Sequence, residues 1–264
     1  MAQLQNAPVV YVLGVLRFPQ LVEPGRLAAA LQPHLRGEFP MYEELVAPHL
    51  QVDIGQDGVN FVKQEIRTWH FASIDRSWAL MVNAGQIALH TNSYNDRTDF
   101  VGRFAKCVEA AVGIEDVGIE LVESIALRYV DLIVPHPGEK LSSYFVDGYL
   151  PTDIPKAGLQ VREGVFSAAY ATDAGDLRVQ LFRRPPTVLP LELNSEFTQR
   201  DNWAPQRPEG DFAVLDSDHG VVYPQPVGIE SFDVRERMLG LHQPIRGVFD
   251  AMTSEHAMKV WGAK

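Results

Sequence analysis

The run Arg128-Tyr129-Val130-Asp131 gathers a guanidinium, a phenol and a carboxylate within a few positions of one β-branched stretch. A guanidinium offers a planar fork of N–H donors that grips a carboxylate or phosphate through two bonds at once. Side chains alternate along a strand, so Arg128 and Val130 face one side while Tyr129 and Asp131 face the other. Two roles follow for Arg128. In one it binds a phosphorylated or nucleotide ligand, with Tyr129, Asp131, Arg17 and Arg67 completing the ligand-binding set in a pocket between sheet and helix. In the other it pairs with an acid at the core edge, Glu120 or Glu123, and fixes sheet packing.

A second cluster, Asp216-Ser217-Asp218-His219-Gly220, has the opening of a calcium loop. That loop needs an oxygen donor at its fifth position and a glutamate at its twelfth. Gly220 and Val227 stand there instead, so the cluster reads first as an Asp/Gly-rich turn. Asp216, Asp218 and His219 remain a candidate metal set if another carboxylate joins them. The 8 histidines show no His-Glu-x-x-His spacing. His242, beside an apolar helical stripe, is either held by a local hydrogen bond or part of a site. No nucleophile elbow, Walker loop or dinucleotide fingerprint occurs, so no catalytic residue and no cofactor is assigned.

The net charge of −11 repels phosphate backbones at long range and argues against general nucleic-acid binding. Arg178, Arg183 and Arg184 are the local basic candidates, against the plainer reading of a solvated strand rim. The aromatic residues Trp69, Phe71 and Trp78 read as hairpin core rather than a base-stacking platform. The 1 cysteine, Cys107, can form neither an internal disulfide nor a cysteine zinc site, and lies on an apolar helical face as a small hydrophobe. The opening MAQLQNAPVV lacks the basic start and apolar core of a signal peptide, and no apolar run reaches the roughly 18 residues of a membrane span. A cytoplasmic protein without a membrane segment is expected.

The elements that must position these residues are legible in part. Residues 9–18 form an apolar, β-branched run suited to a central strand. Glu23-Pro24 opens a helix with Leu27, Leu31 and Leu35 on one face, which Pro33 is expected to kink or shorten. Residues 38–57 read as a proline-broken connection. Strand signals follow at 59–67, 69–73, 78–82 and 87–91, with turns at Asp75-Arg76-Ser77 and Asn83-Ala84-Gly85. Asn95–Asp99 supplies cap candidates for a helix carrying Phe100, Phe104, Cys107 and Ala111, closed by Gly113. A long strand or a bent pair spans 117–134. Pro135-His136-Pro137 is the expected boundary between two halves, 1–135 and 136–264. The second half holds a hairpin around 172–175, a proline-rich loop at 184–210, and short strands at 212–215 and 221–223. Its terminal helix has a stripe Val234, Met238, Leu241, Ile245, Phe249 and Met252. The whole predicts an α+β fold, antiparallel sheets with helices packed on one face, in two closely associated halves.

Asn6-Ala7-Pro8 with Arg17-Phe18-Pro19, Trp69-x-Phe71 with Trp78 and Ile87–Tyr94, Leu127-Arg128-Tyr129-Val130-Asp131, and Leu241-His242 with Phe249 together resemble a sporadically distributed bacterial family of about 260 residues with no assigned function. The resemblance spans nearly the whole chain. It implies an accessory protein of variable genomic regions, compatible with defence or toxin-related systems. Asp131 departs from it, since an Asn is the more usual residue there. The expected function is a non-enzymatic cytosolic protein-binding or accessory protein, its partner another protein docking on the 184–210 segment. The alternative is a sensor or enzyme for a phosphorylated or nucleotide ligand at Arg128. A third reading, single-strand nucleic-acid contact, needs a positive stripe.

Overall fold

The computed structural model describes residues 4–55, 58–114, 118–193 and 203–262, with the side chains of 48–64 outside that description. The central run forms β1 (Val9–Arg17), which hydrogen-bonds to β5 (Gln86–Thr91) on one side and β6 (Leu121–Ile133) on the other. With β2 (Met41–Gly55), β3 (Gly58–Ala72), β4 (Trp78–Val82), β7 (Gly164–Thr172), β8 (Gly175–Arg183) and β9 (Ala213–Gly228), they make one 9-stranded sheet in the order β2-β3-β4-β5-β1-β6-β9-β8-β7. Every pairing is antiparallel. The sheet is continuous across residues 135 and 136, because β6 pairs with β9 from Leu121 to Ile133.

Two segments differ from the sequence expectation. Met41–Gly55 form strand β2, not a broken connection; residues 56–57 of the expected 38–57 connection lie outside the described residues. β2 is an edge strand paired only with β3, and an edge leaves half of its N–H groups without a ladder partner, so Pro48 is tolerated there. Residues 216–220 are no turn: β9 runs straight through them. Asp216 pairs with Arg128 of β6 and His219 bonds Thr172 of β7, and Gly220 lets neighbouring strand atoms approach. A Cβ at Gly220 would sit 2.9 Å from the Ala126 Cβ and 3.1 Å from the Ile125 carbonyl oxygen.

Four α-helices occur among the described residues: α1 (Pro24–Leu35), α2 (Arg97–Val112), α3 (Val234–Met252) and α4 (Glu255–Val260). Pro33 does not end α1, whose Leu31 and Leu35 anchor the last turn in the core. α3 passes through Pro244 with its whole apolar stripe buried, and Ser254 recaps the chain into α4. Buried residues of α1, α2 and α3, such as Leu27, Phe100 and Met238, pack with Val12, Leu16, Leu89 and Leu127. Each such side chain contributes about 1.5–3 kcal/mol of transfer free energy. On alternate strand positions, Tyr11, Val130 and Val214 pack with Val188, Leu189 and Trp203. The described ends of the 184–210 segment are therefore a cover over the sheet. Gly14 on β1 allows the close approach of α2 and α3: a Cβ there would meet Met238 Cε at 2.9 Å and Phe100 Cε1 at 3.1 Å. No helix among the described residues is long and apolar enough to cross a membrane.

Candidate ligand-binding cavity

Strand alternation on β6 divides the Arg128–Asp131 run between two environments. Arg128 lies on the side of Val130. Its Nε donates to Asp216 Oδ1 at 2.8 Å and its Nη2 to Asp216 Oδ2 at 2.6 Å, a two-pronged pair. Nη2 also donates to Glu192 Oε1 at 2.7 Å. The acids facing Arg128 hold the guanidinium firmly charged. Burial pushes the Asp216 carboxyl upward, and Arg128 opposes that push. The partners are thus Asp216 and Glu192 rather than Glu120 or Glu123.

Tyr129 and Asp131 face the other way, into a cavity of about 350 Å³. Its walls come from four places: the chain entering β1 (Leu4, Ala7, Pro8, Val9), the start of α2 (Tyr94 to Thr98), β6, and α3 (His242, Ile245, Arg246, Phe249). The α2 end is set by Asp96, whose Oδ1 accepts from the backbone N–H groups of Thr98 at 2.7 Å and Asp99 at 2.9 Å. That cap fixes Arg97 at the first helical position, exposed, where it makes no ion pair with a described residue. A cation in a first turn opposes the helix dipole, so local stability does not account for it.

Asp131 is 4% exposed. It forms no hydrogen bond with a described residue, and its Oδ1 is wholly shielded from solvent. Loss of hydration pushes its pKa up to about 7; Arg246 pulls it down and Asp216 adds to the rise. Above it, the Tyr129 hydroxyl donates to the Tyr94 hydroxyl at 3.1 Å, with the rings edge to face at 5.3 Å. Burial raises the Tyr94 phenol to about 12 and pushes Tyr129 well above its ordinary value, so both stay protonated donors. The His242 ring stands edge-on to Tyr129 at 5.7 Å. Its pKa falls to about 4 through burial and through Arg97 and Arg246, which leaves a neutral imidazole. Arg246, one turn along α3, is held by Asp250 through bonds of 3.0 and 2.7 Å.

The other residues singled out by sequence are scattered. Arg17 is exposed at the end of β1, opposite Ser124 and Gln86. Arg67 reaches Glu44 at 3.3 Å on the surface of β3. These two and Arg128 do not converge. Asp216 and Asp218 point to one side of β9 and His219 to the other. His219 is fully buried, its Nε2 2.9 Å from the Thr172 hydroxyl and its Nδ1 2.7 Å from the Leu241 carbonyl oxygen. Among the described residues no group of three His, Cys, Asp or Glu side chains is placed to hold a metal ion. Arg183 and Arg184 both bond to Asp211, at 2.8 to 3.0 Å. Arg97 and Arg246 were missed by sequence reasoning. The signals present were a cation against a helix dipole and a His242–Arg246 pair at helical i, i+4 spacing beside the apolar stripe.

No family model, no curated protein and no solved structure matches this chain.

Proposed function

We propose that this chain is a cytosolic, non-enzymatic accessory protein that binds a small anionic molecule in the cavity between β6, α2 and α3. One observation carries the reading: the buried carboxylate of Asp131, with no hydrogen-bond partner among the described residues, shares an open cavity with the Arg97 guanidinium, which pairs with no described acid. An unsatisfied buried polar group costs about 1–3 kcal/mol, and that cost falls away when a bound molecule supplies the missing bond. The volume lies at the low end of the roughly 300–1,000 Å³ typical of small-molecule sites, so one compact molecule fits rather than a polymer. Neutral His242 and the two tyrosines add directional bonds, while Ile245, Phe249 and Val9 supply apolar wall. On this reading the ligand lies on the Asp131 side of β6, opposite Arg128. The test is native mass spectrometry of protein purified from its host, followed by denaturing extraction. A retained small anion, lost in Arg97→Ala, supports the reading; protein that is ligand-free and shows no thermal shift with any anion in a metabolite panel overturns it.

A second reading, association with another protein, draws on β7. This edge strand is paired only with β8, and Val165 and Tyr170 on it are 53% and 43% exposed. If β7 is the docking strand, Tyr170→Lys removes a stoichiometric partner from the affinity-purified complex.

A further inference from the structure

We infer that the ligand is amphoteric, with an anionic group at Arg97 and an N–H donor, cationic or neutral, delivered to the carboxylate of Asp131. The inference rests on the ligand-binding reading above and adds the chemistry of the second pole. The cavity presents two unmet groups of opposite kind. Among the described residues Arg97 is a cation without an acid, and Asp131 is an acceptor without a donor. A purely anionic molecule satisfies Arg97 and leaves Asp131 facing like charge. A purely cationic one does the reverse. Only a molecule carrying both functions together with an apolar part that meets Ile245 and Phe249 satisfies every part of the lining.

The remaining charged groups do not serve either pole. Arg246 already grips Asp250 in two bonds, and Asp96 is committed to the α2 backbone. The titratable and charged groups around Asp131 are Tyr129 on its own strand, Asp216 on β9, His242 and Arg246 on α3, and Arg97 and Tyr94 at the start of α2. None donates a hydrogen bond to it. An N–H from the ligand favours the ionised carboxylate, so binding near neutrality drives a proton off Asp131.

Two matched series test this by calorimetry at pH 7. One is L-phenylalanine with 3-phenylpropionate and 2-phenylethylamine. The other is cytidine 5′-monophosphate with ribose 5-phosphate and cytidine. In one series the bifunctional member is expected to bind at least about ten-fold tighter than either half. Its enthalpy should vary with buffer ionisation in the sense of proton release. Asp131→Asn should remove both the preference and the proton release, and Arg97→Ala should weaken the bifunctional and anion-only members alike. The series that responds tells an amino-acid-like ligand from a nucleotide-like one. If the anion-only member binds as tightly as the bifunctional one and Arg97→Ala abolishes it, the amphoteric inference fails and the anion-binding reading stands. If neither series binds, both fall.

Discussion

Removing the Arg128 side chain should unfold this protein more readily rather than disarm a binding site. In Arg128→Ala, Asp216 keeps its place beneath the 185–193 segment with a side chain 3% exposed and loses both strong donors. Breaking a buried pair from one side costs about 3–5 kcal/mol, because the abandoned charge stays desolvated. For a chain of this size that corresponds to a fall in Tm on the order of 10 °C. The third partner gives an internal control. Glu192 has a side chain 63% exposed, so Glu192→Gln should cost no more than about 1 kcal/mol. Replacing both buried partners by apolar residues, Arg128→Met with Asp216→Leu, should recover most of the loss. Urea unfolding followed by circular dichroism gives the three values. A loss under about 1 kcal/mol in Arg128→Ala, or a double replacement worse than the single one, would refute the structural role of this pair.

Asp131→Asn should raise stability at pH 8, and the gain should shrink as pH falls toward 4. The folded-state pKa of about 7 lies above the ordinary carboxyl value of 3.8, so the wild type loses stability as pH rises from about 4 to 7, by on the order of 4 kcal/mol. Urea midpoints for both proteins at pH 4, 6 and 8 measure it, and a constant difference across that range counts against the shift. Asp96→Ala should destabilise by about 1 kcal/mol through loss of the α2 cap, and should weaken ligand binding as Arg97 loses its fixed position. Cys107 is 2% exposed and burial pushes its thiol up to about 12. It should resist a thiol reagent at pH 8 in native buffer and react fully in denaturant; rapid native labelling would contradict its burial.

The sequence shows its sheet and helices where periodicity dominates. The run at residues 9–18 is indeed flanked on both sides, and the stripe from Val234 to Met252 is buried as its spacing implies. It misleads where one residue type carries opposite meanings. Pro48 suggests a break, yet an edge strand accommodates it. Asp216 and Gly220 suggest a turn, yet a buried arginine and a tight crossing make them strand residues. The cavity was half legible. Alternation along β6 separates Arg128 from Asp131 without any coordinates, but which of them meets an acid depends on β9 and the 185–193 segment, distant in sequence. Arg97 and Arg246 sit on separate helices, and only the packing of α2 against α3 over Gly14 brings them to one opening.

The cavity wall is shared between the chain entering β1 and helix α3, at opposite ends of the described sequence. A ribosome delivers residues 4–9 long before α3 emerges. Most of the strands can therefore pair before the cavity has its α3 wall. A molecule held there, as proposed above, would stabilise the folded protein without guiding the assembly of its sheet.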